Sequence, residues 1–239
     1  MKKLIESIIV TLIVTMLLTG CSKNSTVSPI RQLELQLQSS NYADWNAVAT
    51  CEYATEDHLL TVAMQCSKIR ANAFWAKKIA TSISNNPSCT AKVIKELSAS
   101  PLYAVLNITA QSTYADEETL IFIAKKCSSI KNNEKWAKTI ATSISENSAT
   151  TGPVIKQLSA SPWYSVLNIA AQSTHADEDA LVSIARQCSS IENNETFAND
   201  ITLSICENPA TTRLVLKELA NSKYITVKAI ARAISQSMQ

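Results

Sequence analysis

Along most of this 239-residue chain, apolar residues recur at spacings of three and four, the signature of one buried face on an α-helix. Over 117–129, Leu120, Ile123, Ala124 and Cys127 fall at i, i+3, i+4 and i+7, and Asp116 stands directly before them as an N-cap. Asn132-Asn133 breaks the pattern. A second helix is predicted over 134–145, burying Trp136, Ala137, Ile140 and Ile144. Thr151 is read as the cap of a third, short helix carrying Val154, Ile155 and Leu158, with Gly152-Pro153 in its first turn. Proline is tolerated there because that position needs no backbone N–H. Ser159-Ala160-Ser161-Pro162 then leads into a fourth helix from 163 to about 172.

The four-helix pattern repeats. Cys66, Cys127 and Cys188 recur every 61 residues, as do Trp75, Trp136 and Phe197, and Ile79, Ile140 and Ile201. Val93-Ile94-Lys95-Glu96-Leu97 returns as Val154-Ile155-Lys156-Gln157-Leu158 and again as Val215-Leu216-Lys217-Glu218-Leu219. Each unit divides into two helical hairpins that resemble each other: a partial one near 30–51, then pairs over 54–112, 115–173 and 176–235. A lone hairpin cannot bury both faces of its helices, so neighbours must stack into one continuous core. The predicted fold is all-α, a curved right-handed α-solenoid of about seven stacked helical hairpins. The scarcity of glycine points the same way: the chain has two, Gly20 and Gly152, whereas tight β-turns call for many more.

Two stretches resemble known patterns. Met1-Lys2-Lys3, an apolar run from Ile8 to Leu18 and then Leu18-Thr19-Gly20-Cys21 form a secretory signal whose end resembles the bacterial lipobox. The resemblance implies a signal peptide over 1–20, cleavage before Cys21, and lipid on Cys21 as the anchor. The apolar run is short for a transmembrane helix, and acyl chains give stable anchoring by burying methylenes. Residues 21–29 are then a polar tether, and 30–239 the repeat domain. Ser22 resembles the residue that sorts lipoproteins to the outer membrane; in a single-membrane cell the same anchor holds the domain outside the cell membrane. Further on, Asn208-Pro209-Ala210-Thr211 through Leu219-Ala220 resembles the leucine-rich-repeat-variant motif, and the mature chain as a whole is similar to HEAT-like helical repeats. Such repeats imply a binding scaffold, although a fold alone does not settle function.

Composition removes several function classes. With 22 basic and 20 acidic residues the chain is close to neutral, so no nucleic-acid partner is expected. His58 and His175 occupy different repeat positions, and there is no His/Cys metal spacing, glycine-rich phosphate loop or nucleophile elbow. No catalytic residue, metal or cofactor is assigned. The acidic runs Glu56-Asp57, Asp116-Glu117-Glu118 and Asp177-Glu178-Asp179 all open the same helix, where negative charge complements the macrodipole. Cys66, Cys127 and Cys188 are expected to be reduced and buried, since they lie too far apart for a bridge. Cys51 and Cys89, in neighbouring layers, are the pair that could form one. Lys77, Lys78, Lys125, Lys126, Lys131, Lys135 and Lys138 give the middle a positive tinge, read as a solvated helix face or as a surface for anionic envelope polymers.

One recurring feature suits recognition. Tyr103, Asn107 and Gln111 lie at i, i+4 and i+8 and form one helical ridge. It returns as Tyr164, Asn168 and Gln172 and, altered, as Tyr42, Asn46 and Thr50, whereas the last unit has Ile225, Ala229 and Ala233. Two readings stand: an internal ladder bonding neighbouring hairpins, or a polar-aromatic strip holding an extended partner. Trp75, Trp136 and Phe197 are assigned to the core. The function expected is a membrane-tethered, non-catalytic scaffold binding a protein or peptide at the cell envelope. The alternative is a structural part of an envelope assembly, acting through self-association or docking.

Overall fold

The computed structural model describes residues 28–238. The expected signal peptide, Cys21 and the expected tether through residue 27 lie outside the described residues. Those described form fourteen α-helices and no strand: α1 (Pro29–Leu37), α2 (Tyr42–Thr50), α3 (Glu56–Cys66), α4 (Ala73–Ser84), α5 (Ala91–Ser98), α6 (Tyr103–Gln111), α7 (Glu117–Ser128), α8 (Glu134–Glu146), α9 (Gly152–Leu158), α10 (Tyr164–Gln172), α11 (Glu178–Ser189), α12 (Glu195–Glu207), α13 (Arg213–Leu219) and α14 (Ile225–Ser237). None is long and apolar enough to cross a membrane.

The caps explain where the helices start. Ser28 caps α1, with Pro29 in the first turn. Asp116 accepts from the Thr119 N–H at 2.8 Å and Asp177 from Ala180 at 2.8 Å, each satisfying an amide the helix leaves unpaired. Asn72, Asn133 and Asn194 do the same for α4, α8 and α12 through the N–H groups of Trp75, Trp136 and Phe197. The Asn132-Asn133 turn therefore belongs partly to the helix it precedes. Trp163 likewise sits at the N-cap position, and α10 begins one residue later than its pattern suggested.

Thr151 holds the N-cap position of α9, but its side chain does not cap. Its hydroxyl donates instead to Glu117 Oε1 on α7, at 2.7 Å. The equivalent hydroxyls of Thr90 and Thr212 are buried without a partner. Gly152, next in line, leaves space for the Asp177 cap: a Cβ there would lie 1.9 Å from Asp177 Oδ2.

Each helix packs on the helix two places along as well as on most of its chain neighbours. The odd-numbered helices thus form one row and the even-numbered helices a second, with the core between them. That core is continuous from Leu33 to Ala231. Its largest fully buried side chains are the leucines and isoleucines of the periodic positions, among them Leu120, Ile123, Ile140, Ile144, Ile155 and Leu158. Ion pairs Lys95–Glu118, Lys156–Asp179 and Arg186–Glu218 join successive odd-row helices. All three are solvated, so packing contributes far more to the array than they do.

The cysteine trio lies where the periodicity places it, fully buried. Each thiol donates to a carbonyl in the first turn of the following helix: Cys66 to Ala76 at 3.4 Å, Cys127 to Ala137 at 3.2 Å and Cys188 to Ala198 at 3.3 Å. Burial pushes the Cys66 and Cys127 thiols up to about 12 and raises Cys188 as well. Thiolate, the reactive form, is therefore scarce at neutral pH. Cys89 also carries a free thiol, raised to about 11 by burial, so the Cys51–Cys89 bridge that the sequence admits is not formed.

Candidate functional site

The ridge residues lie on α2, α6 and α10, all in the even row, and two of the three ridge positions are used for packing. Each ridge asparagine accepts a hydrogen bond through Oδ1 from a serine on the next even-row helix. Ser82 donates to Asn46 at 3.0 Å, Ser143 to Asn107 at 2.9 Å and Ser204 to Asn168 at 2.8 Å. Each ridge tyrosine meets an aromatic ring in the first turn of that next helix. Tyr42 and Trp75 have centroids 6.5 Å apart, Tyr103 and Trp136 6.3 Å, and Tyr164 and Phe197 5.4 Å.

Trp75, Trp136 and Phe197 are consequently not core residues. The two tryptophans are half-buried and Phe197 is 39% exposed. They fall in the first turn of their helices, where each ring lies against the tyrosine of the preceding even-row helix. The Trp45 and Trp163 indoles are half-buried too, donating to the carbonyls of Ser39 and Ile130, both at 2.7 Å.

What the ridge leaves to solvent is specific. The amide nitrogens of Asn46, Asn107 and Asn168 form no hydrogen bond among the described residues, and none is a buried unpaired atom. Each of these three ridges thus keeps one side-chain NH2 donor at the surface while its carbonyl is held inside. Gln111 is exposed and lines a recess of about 170 Å³ with Thr81, Ser84, Asn85 and Ile108. Gln172 is exposed but donates to Ser204 Oγ at 3.2 Å. In the last unit Ile225, at the Tyr164 position, is 81% exposed, and among the described residues no helix lies beyond α14.

A second asparagine series has the larger structural part. Asn147, the C-cap of α8, donates through Nδ2 to the carbonyls of Ala110 at 2.7 Å and Ser112 at 2.9 Å, and accepts from the Ala149 N–H at 2.9 Å. Those two carbonyls close α6, where the helix has no N–H left to offer them. Asn86 treats Ala49 and Cys51 in the same way, and Asn208 treats Ala171 and Ser173. The only sequence signal for this was the Asn that opens the Asn-Pro motif. Its role in closing a different helix is invisible without the packing.

No cluster of three or more His, Cys, Asp or Glu side chains that could hold a metal occurs among the described residues. His58 serves the start of its own helix: its Nδ1 accepts from the Thr55 N–H at 3.1 Å. No known protein family, curated protein or solved structure matches this chain.

Proposed function

We propose that this chain is a membrane-anchored, non-catalytic scaffold that binds a protein or peptide at the bacterial cell envelope. In this reading the lipid on Cys21 anchors it, and the two rows of helices wind into a right-handed α-solenoid of seven stacked hairpins, HEAT-like in kind. The observation that carries the reading is the row of amide donors on Asn46, Asn107 and Asn168, one per ridge. A row of donors at a fixed repeat suits an extended peptide, whose carbonyls also recur at a fixed spacing, and the tyrosines beside them add rigid amphipathic area. Ile225, Ala229 and Ala233 remove the row in the last unit, so binding belongs to the earlier layers.

Two pairs of substitutions separate the ladder from the recognition strip. Asn107→Ala with Asn168→Ala removes both functions, and is expected to cost about 1 kcal/mol per lost hydrogen bond and to lower the melting temperature. Asn107→Asp with Asn168→Asp keeps the acceptors for Ser143 and Ser204 but removes the NH2 donors. It is expected to hold the melting temperature and lose partner capture from solubilised envelope. Capture that survives the aspartate pair overturns the strip, and capture of nothing but the chain itself favours the structural alternative. For the anchor, a metabolically supplied fatty-acid analogue is expected to label the wild-type chain and not Cys21→Ser. Equal labelling of both would remove Cys21 as the lipid site.

A further inference from the structure

The edge of the array where α5 turns into α6 holds a recess of about 170 Å³, lined by Ser100, Tyr103, Leu106, Lys126, Ser129 and other residues of the two adjoining turns. It is of the same order as an engineered protein cavity of about 150 Å³ that admits benzene. Lys126, from the last turn of α7, is half-buried there. Its ammonium lies over the Phe122 ring, 4.9 Å from the centroid, and donates to the carbonyls of Ser98 at 2.8 Å and Ser100 at 3.1 Å. An ammonium has three N–H donors, which leaves one unspent.

The cations at this edge, Lys126 and Arg70, form no ion pair among the described residues. Arg70 stands near enough that its charge, together with burial as the larger cause, lowers the Lys126 pKa. Lys125 adjoins Lys126, Lys131 follows Ile130 of the lining, and Lys68 shares the Arg70 turn. The carboxylates of the adjoining segments accept from neutral hydroxyls, Glu96 from Ser67 and Glu134 from Ser165, and neither is ion-paired with these cations. Nor does the repeat require these charges. Lys126 corresponds to Gln65 and Gln187 in the other units, and Arg70 to Lys131 and Glu192. A half-buried cation beside a second one, at a position where sister units carry glutamine, is poorly explained by folding alone.

We infer that this recess binds a phosphate monoester or diester, with Lys126 as the charged contact, Arg70 as a second cation nearby, and Ser100 and Tyr103 as its hydroxyl lining. A phosphate group presents acceptor oxygens in several directions, which suits an ammonium and hydroxyls with a guanidinium nearby. The site shares Tyr103 with the ridge but none of its asparagines, and stands whether or not a peptide binds there. Its ligand comes either from a lipid headgroup or from a soluble or polymer-borne phosphate ester.

The test is calorimetric titration of the full-length chain in neutral detergent with glycerol 3-phosphate and with a short-chain phosphatidylglycerol below its micellar concentration. Saturable binding of glycerol 3-phosphate is expected, weakened at least about tenfold by Lys126→Gln and by Arg70→Glu. Arg70→Glu should melt with the wild type, because Glu192 is tolerated at the matching position. Lys126→Gln gives up the bonds to the Ser98 and Ser100 carbonyls and should melt lower, so its binding is measured well below its own transition. Lys217→Gln, on distant α13, should bind as the wild type does. Tighter binding of the phosphatidylglycerol assigns the site to a lipid headgroup, and equal binding assigns it to a soluble or polymer-borne ester. The inference is overturned if glycerol 3-phosphate does not saturate, if binding survives both substitutions, or if Lys217→Gln weakens it as much as they do.

Discussion

Replacing Asn147 with aspartate is expected to destabilise the chain more than almost any other change of similar size. The wild-type amide donates to the Ala110 and Ser112 carbonyls and is only 8% exposed. Alanine at this position would strand two buried acceptors, at about 1–3 kcal/mol for each unsatisfied group. The turn N–H of Ala149, held by Oδ1, would lose its partner too. Aspartate keeps that acceptor but sets a carboxylate oxygen against two carbonyl oxygens in a site with little water, so its loss should exceed that of alanine. The difference should depend on pH in a defined sense. Burial and the two carbonyls raise the folded-state pKa of the introduced carboxyl above its unfolded value. The destabilisation is therefore full at neutral pH and shrinks as the pH falls through that raised pKa, where the protonated carboxyl can donate to one carbonyl. Thermal melts of Asn147→Ala and Asn147→Asp at two pH values check this. An aspartate variant as stable as wild type at neutral pH would show that the contact between α8 and α6 is not made.

Truncation of the core should be nearly as severe. Ile140 is 0% exposed, on a helix flanked by even-row neighbours on both sides. Ile140→Ala removes three carbons from a site that can collapse little, and is expected to cost about 2–5 kcal/mol. In a chain of this size each kcal/mol lowers the melting temperature by about 2–4 °C. Ile225→Ala, at 81% exposure, removes the same atoms and should change stability by no more than about 0.5 kcal/mol. The pair thus measures position alone. Repeat arrays can also unfold in parts, because each layer is supported chiefly by its neighbours. Hydrogen exchange on Ile140→Ala is therefore expected to show the greatest loss of protection in α6, α8 and α10 and less at the two ends. A uniform loss would mean that the chain unfolds as one unit.

Local chemistry made much of the architecture legible. The i, i+3, i+4, i+7 rows of α7 and α8 became the buried faces because a helix offers one continuous face to its neighbours whatever those neighbours are. Asp116 and Asp177 could be read as caps because an N-cap bonds to its own helix, within three residues. The 61-residue recurrence showed that the units repeat. It could not show what the boundary positions do.

Those positions depended on the tertiary structure. Asn107, Asn147 and Thr151 all bond to partners between 34 and 37 residues away on other helices, and no local period encodes such a meeting. Thr151 has the look of a cap, yet its hydroxyl reaches Glu117 because the preceding odd-row helix brings that carboxylate within 2.7 Å. Trp136 has the look of core, yet it is only half-buried, its ring set against Tyr103 of the preceding even-row helix. Tyr103 and Asn107 could have faced solvent or the next helix. The spacing between even-row helices decided, turning the tyrosine ring and the asparagine carbonyl inward and leaving the asparagine NH2 outside. Sequence by itself thus determined which residues form helices and which face of each is apolar, since both follow from interactions within a turn or two. The use of the polar residues at the margins of those faces was decided only when the helices packed, because a side-chain amide bonds to whatever backbone the neighbouring layer brings within about 3 Å.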